Sequence, residues 1–427
     1  MNWASISESD RARIRYWQKW MIVFAVVCEI FLAADWYGFA AVLQFVSKDL
    51  SLDPAEAGLA QGIFALTYGL GMVLWSPVSR KMSTRSLLMI GLAGTGLGMV
   101  LQIFVQNFAQ LIALRLLIGF FDAAIWTGNI KLIIGWFPQE KRGAMMGWIL
   151  AAYSLAITLD FALGIPLTLA LGWRTFFAIL AGGTLIVAVI DWLFARNGPA
   201  DVGIPGFAWD EEVKLQPGAS VKLADIFRSR WIIVGGMAIA GCTFAISGTA
   251  TWVIPAYITV QKMDVANAPL VGTIMGLSQV VFLIIGGYMA DRWSKLTMIK
   301  LGIGMAFVSA LLFVAAVTSP MSFGMLLIPA ALSGIAVLCG GAIFSMLAEK
   351  YPDALAPAAV GYAEIVGVIA TFIAPSLMGA VIKMTGSFAN AFIAFAIVEA
   401  LLLVVLAVLA REGAGRRAAV AVARPSA

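Results

Sequence analysis

The sequence predicts an all-α integral membrane protein with twelve transmembrane helices in two pseudo-symmetric halves of six. Three observations predict it. Of 427 residues, 62% are hydrophobic and only 12% charged, whereas water-soluble domains carry about 25% charged residues. A water-facing exterior cannot be built from so little polarity. Apolar stretches of about 20 residues, long enough for a helix to cross a bilayer, recur along the chain. One long polar connection, 196–230, divides them equally. A transmembrane barrel would need alternating segments of about ten residues instead, and the chain shows no such alternation.

In order, the apolar windows fall at 20–46, 55–77, 86–107, 110–136, 144–171, 173–195, 231–259, 267–290, 296–318, 322–348, 357–384 and 386–410. They imply a first bundle over 1–195, a cytoplasmic central loop over 196–230, a second bundle over 231–410 and a cytoplasmic tail over 411–427. The opening "MNWASISESDRARIRYWQKW" lacks the apolar core and cleavage site of a signal peptide, so the first helix is expected to act as an uncleaved insertion signal. Orientation follows from where Lys and Arg lie. With the N terminus cytoplasmic, only Lys48, Arg174, Lys262 and Lys383 of the 28 basic residues fall on the opposite side, and Arg115, Lys131 and Lys300 stay inside windows. Both termini are therefore expected in the cytoplasm. The net charge of +5 is topological and implies no nucleic acid.

Cys28, Cys242 and Cys339 all fall inside spanning windows, and the chain has no histidine. That supports neither a disulfide framework nor a zinc site; each thiol is read as a small packing residue. HExxH metal chemistry and Ser–His machinery are excluded for the same reason, and no GxxxxGK[ST] loop is present to bind ATP phosphates. No cofactor or metal is expected, and the chain is not read as an enzyme.

The halves echo each other. "SPVSRKMSTRSLLMIG" follows the second window and "GGYMADRWSKLTMIKLG" the eighth, both short basic turns. Duplication of a membrane unit is a signature of secondary transporters, whose site lies near the midplane between repeats. "GLAGTGLG" (Gly91–Gly98) and the pair Gly272/Gly276 place small residues at helix-packing spacing. Pro166, Pro255, Pro329 and Pro375 lie within windows, where each can kink its helix and free a carbonyl.

These features together resemble the major facilitator superfamily: twelve helices in two halves, the paired turns and "RLLIGFFD" in the fourth helix. "IKLIIGWFPQEKRGAMMG" (Ile130–Gly147) and "LGWRTFF" are similar to its anion:cation symporter family, and "ARNGPADVGIP" to the related organophosphate antiporters. The resemblance implies the major facilitator fold, with Arg80, Asp291 and Arg292 in the paired turns serving conformational gating. The first turn departs from the pattern, with Ser79 where an acid stands before Arg80. In the first helix the family's Asp–Arg pair is Asp35–Trp36 here, so one arginine that commonly grips an anion is absent.

Charges inside a membrane are rare, cost about 2.5–3.5 kcal/mol each at a helix centre, and usually face a cavity or a partner. Arg115 and Asp122 are seven residues apart, on one face of the fourth helix and about 10 Å apart along its axis. They are too distant to pair directly, but both can line one cavity. By resemblance, Arg115 belongs to the substrate site, meeting a carboxylate by paired hydrogen bonds, while Asp122 and Asp35 serve proton coupling. The alternatives are a helix–helix clamp for Arg115 and a permanently hydrogen-bonded Asp35. Glu29 sits six residues from Asp35, well off its face, and is expected in packing or a cytoplasmic-side network. Asp160, Glu364 and Glu399 are open as to whether they face the cavity. For Lys131, Asp191 and Lys300, near helix ends, snorkelling or cytoplasmic contact is the expectation. Tyr37, Asn129, Tyr153 and Trp252 offer neutral hydrogen bonds or an aromatic wall to the substrate, alongside Tyr257.

The seventh helix carries no charge in its middle, so a doubly charged phosphate has no second cation to meet; a singly charged organic acid meeting Arg115 fits. The expected function is secondary active transport by alternating access: proton symport of a monocarboxylate or sugar acid. The alternative is an uncoupled facilitator or exporter of a neutral or anionic metabolite. A monomer in a bacterial-type inner membrane is expected.

Overall fold

Twelve helices among the described residues are long and apolar enough to span a membrane. They are α1 (Glu8–Asp49), α2 (Pro54–Ser79), α3 (Thr84–Gln102), α4 (Phe108–Trp136), α5 (Gln139–Leu171), α6 (Trp173–Phe194), α7 (Arg230–Val260), α8 (Val265–Ala290), α9 (Lys295–Thr318), α10 (Phe323–Leu347), α11 (Ala359–Thr385) and α12 (Phe388–Leu409). The structure, a computed structural model, describes residues 3, 5–207, 209, 224–290, 292–351 and 356–410. Asp291, residues 208 and 210–223 of the central loop and the tail over 411–427 lie outside the described residues.

Polar caps set many of the starts. Ser7, Ser83, Asn107, Ser229, Ser294 and Ser387 each accept a backbone N–H of the helix that follows, satisfying donors the first turn leaves unpaired. Asp53 and Glu56 form a reciprocal capping box ahead of α2, with Pro54 at the first helical position where its missing N–H costs nothing. Gly172, at φ 84°, breaks the chain between α5 and α6.

Helix α1 is 42 residues long, about twice what a bilayer needs, and starts well before the apolar window at 20. Its extra turns carry charge on one side and Ile14 on the other. Ile14 is fully buried with Ile6 and Ile204, packed by Trp3, Phe207 and Trp209. An amphipathic turn resting on the segment after α6 is invisible to a hydropathy window. Two other helices change winding midway. Asp160–Gly164 of α5 is a π-helical turn just before Pro166, and Ser333–Cys339 of α10 is 3₁₀, just after Pro329.

Packing repeats with a six-helix offset. α1 packs on α5 as α7 does on α11, α3 on α4 as α9 on α10, α2 on α4 as α8 on α10, and α3 on α6 as α9 on α12. The contacts between halves are also paired, α2 with α11 and α5 with α8. Glycine makes these close. A Cβ on Gly58 would lie 2.2 Å from the Pro375 carbonyl, and one on Gly276 2.5 Å from Thr158 Oγ1. Both sites lie towards the end of the molecule opposite the N terminus. Towards the N-terminal end, Gly143 and Gly147 of α5, Gly287 of α8 and Gly361 of α11 face open space. The two bundles therefore meet at one end and part at the other.

Candidate functional site

Helix α4 runs antiparallel to α1, and its residues at seven-residue spacing meet α1 like a zipper. Seven residues return to nearly the same face about 10 Å further along. Arg115 Nη1 lies 3.2 Å from Asp35 Oδ2 and 3.4 Å from Oδ1. Trp36 Nε1 donates to Asp122 Oδ2 at 2.9 Å, and Asn129 Nδ2 donates to Glu29 Oε2 at 3.1 Å. Each of these groups is buried. The Arg115 guanidinium also donates to the Ala60 carbonyl and lies 4.4 Å from the Phe39 ring centre and 4.7 Å from that of Phe64. Such a sandwich suits a planar, weakly hydrated cation. Thr95 Oγ1 donates to the second oxygen of Asp122 at 2.5 Å.

Between the halves lies a cavity of about 190 Å³. The first half contributes Glu29, Trp36, Tyr68, Trp126 and Tyr153 to its wall, and the second Gln279, Phe344, Glu364 and Thr371. Trp36 joins cavity to zipper. Its indole lines the one, bonds Asp122 in the other, and packs edge-on against Tyr68 at 4.7 Å.

Of the residues the sequence singled out for substrate, Tyr153 lines this cavity. Tyr37 and Asn129 sit one layer behind, held by Tyr153 (hydroxyl to hydroxyl, 2.6 Å) and by Glu29. Arg115, expected to line the cavity with Asp122, is instead enclosed by Asp35 and two phenylalanines. Trp252 lies away from the cavity, in the seal. Its Nε1 donates to the Pro375 carbonyl at 3.0 Å, and its ring lies within 3.3 Å of where a Gly58 Cβ would sit. Arg80 and Arg292 are exposed at the ends of α2 and α8, while Asp291 is outside the described residues. The cavity also takes in Glu364, and neither Asp160 nor Glu399 lines it.

Two expectations are corrected. Glu29, placed off the working face, is a wall residue of the cavity; its face is that of Trp36, seven residues on, rather than that of Asp35. Asp191, expected to snorkel, is fully buried and accepts from Cys28 Sγ at 2.6 Å. Lys131 reaches the end carbonyls of the α2–α3 turn, Ser79 O at 2.6 Å and Met82 O. Trp126, Gln279 and Thr371 went unremarked in the sequence. The seven-residue step from Arg115 through Asp122 to Asn129 was the available signal for the first half, and Trp126 lies one turn beyond Asp122.

Residues 25–319 and 253–425 match the model of the Major Facilitator Superfamily. The chain belongs to that superfamily. It is accordingly a membrane transporter and not an enzyme. Among curated relatives, a putative tartrate transporter of Agrobacterium vitis is 25% identical over 407 residues, covering 90% of this chain and 91% of the relative. A probable galactarate/D-glucarate transporter of Escherichia coli is 22% identical, covering 91% and 92%. A probable L-galactonate transporter of the same organism is 23% identical over 272 residues, and the match spans only 60% of its length. Together with the family match, these relatives support a transporter of the anion:cation symporter type within the superfamily. A bacterial homologue of the human lysosomal transporter Spinster, solved inward-facing and unoccupied, superposes with a TM-score of 0.76 at 16% identity over 92% of this chain and 96% of that one. That likeness speaks to the fold.

Proposed function

We propose that this chain is a secondary active transporter that carries a small organic anion across the bacterial inner membrane in symport with a proton. The cavity carries the reading: it lies between two pseudo-symmetric bundles that meet at one end and part at the other. Rocking the bundles about it exposes one site to each side in turn. The bias of Lys and Arg supports a cytoplasmic position for both termini, and with it an open end that faces inward. Relatives named for tartrate, galactarate and galactonate favour a small, hydroxylated acid as cargo.

Asp35 and Asp122 are the proton-coupling groups, and Trp36 is their link to the cargo. A proton on Asp35 cancels its ion pair and releases the guanidinium of Arg115, which is then able to meet a carboxylate by paired hydrogen bonds. A proton on Asp122 alters the acceptor that holds the Trp36 indole, and the indole lies in the cavity wall. Tyr153 contacts the cargo; Tyr37 and Asn129 position Tyr153 and Glu29. Arg80, Asp291 and Arg292 act in the two equivalent turns where the bundles part, and Trp252 in the opposite seal.

Proteoliposomes with an imposed pH gradient and labelled tartrate or galactonate test the assignment. Gradient-driven accumulation is expected to vanish in Asp122→Asn while counterflow exchange persists. If Asp35→Asn and Asp122→Asn both still concentrate the acid, the coupling groups lie elsewhere.

A further inference from the structure

We infer that the cargo carries an ammonium group as well as its carboxylate, and that Glu29 and Glu364 grip that ammonium from opposite halves of the protein. The inference rests on the organic-acid reading above and narrows it to amino acids in the broad sense.

Among the described residues, Glu29 and Glu364 are the only charged side chains in the cavity wall, with no Lys or Arg. They come from α1 and α11, one from each bundle, and line the same cavity. Glu29 is 2% exposed and is held in place by Asn129. The indole N–H of Trp126, in the same wall, is buried with no partner among the described residues. Arg115 does not compensate either carboxylate from where it stands, since Asp35 occupies it and its side chain is fully buried. A cargo that is only an anion would meet two acidic side chains there and no cation. An ammonium between the carboxylates reverses that and makes charge-assisted hydrogen bonds to both.

Two further features of the wall suit a cation. Gln279 is 3% exposed and its Oε1 is buried with no partner among the described residues, leaving an acceptor free at the cavity. Trp36, Tyr68, Trp126 and Tyr153 present aromatic surface around it, and aromatic faces attract ammonium groups in desolvated sites. The acid end of the same molecule is left the neutral hydroxyls of Tyr68 and Tyr153, and Arg115 once Asp35 releases it. Because the two glutamates belong to different bundles, an ammonium bonded to both ties the halves together, so closure around the cargo is favoured only when the cation is present.

The test compares two acids that differ at one position, gluconate and 2-amino-2-deoxygluconate, titrated against tryptophan emission of the full-length protein in nanodiscs. The aminated acid is expected to bind about tenfold tighter or more, as one or two charge-assisted hydrogen bonds would give. Glu29→Gln and Glu364→Gln should each bring that ratio towards one. Unliganded thermal unfolding shows whether each variant is folded; if one is not, the other decides. Equal or tighter binding of plain gluconate overturns the ammonium site alone and leaves the organic-acid reading standing. So does a preference that survives a folded Gln variant. Failure of both acids to bind overturns the organic-acid reading together with it.

Discussion

In the first half, the charges of α1 and α4 are matched to one another: Asp35 to Arg115, Asp122 to Trp36 and Thr95, Glu29 to Asn129. In the second half, α7 carries no charge past its first residue. Among the described residues, Glu399 of α12 is fully buried with neither carboxyl oxygen hydrogen-bonded, and Glu364 stands at the cavity without a cation. Ionisable groups inside a bilayer usually face a partner or a cavity. Helices α1 and α4 satisfy the rule with partners and Glu364 with a cavity, whereas Glu399, like Asp160 of α5, has no hydrogen-bond partner for a buried carboxyl oxygen among the described residues. A bundle whose charges are cross-linked moves as a unit and changes state by losing a partner; one with solitary carboxyls is biased by whatever ligand arrives.

Removing one member of a matched pair sharpens that contrast most. Arg115→Ala leaves the Asp35 carboxylate buried without a cation, and breaking such a pair typically costs about 3–5 kcal/mol. The midpoint of unfolding by sodium dodecyl sulfate should fall accordingly, and transport should be lost with it. Arg115→Lys should retain most of the stability but bind carboxylates more weakly, since an ammonium lacks the planar fork. A midpoint unchanged in Arg115→Ala would mean that the zipper is not what ties α1 to α4.

The second half predicts the opposite sign. Glu399→Leu replaces a buried carboxyl with no partner among the described residues by an apolar group of similar size, removing a desolvation cost of about 1–3 kcal/mol. The same denaturation experiment should give a midpoint equal to or above the parent, with transport retained. A fall as large as that of Arg115→Ala would show that Glu399 has a partner in another state of the cycle.

Much of this architecture was legible in the sequence because hydropathy is a sum over whole helices, and twelve sums survive local errors. The spacing of Arg115 and Asp122 likewise put both on one face. Which residue opposes them was not legible: Asp35 lies 80 positions away in the chain, and helical periodicity fixes a face without naming its neighbour. Glu29 shows the failure in detail. Measured from Asp35 it is six residues back and off the face, yet measured from Trp36 it is seven back and within about 20° of it. The cavity is built on the second of those faces, and only packing against α4 decides between them. Trp252 failed for a related reason, as a hydrogen-bonding aromatic suits a seal as well as a substrate wall. The carbonyl of Pro375 that it meets is 123 residues distant.

Where the two halves touch, the smallest effect is expected. Lys383 at the end of α11 lies 2.7 Å from Asp53 at the start of α2, closing the sealed end across the bundles. The hydrogen bond from Lys383 holds the Asp53 carboxyl below its ordinary value. The bridge is therefore intact above the usual carboxylate range and is lost as pH falls through that lowered value. Both side chains are well exposed, 54% and 35%, and such pairs are worth about 1 kcal/mol or less. Lys383→Gln removes the bridge without touching the Asp53 cap of α2. In a Ser376→Cys background, where the new thiol lies in the α2–α11 seal beside Gly62, it should speed labelling by an impermeant maleimide up to about fivefold. Raised salt should give the parent the same increase by screening the pair. Labelling indifferent to both would assign the seal to the glycine contacts and Trp252 alone, and would make the junction between the halves a matter of packing rather than charge.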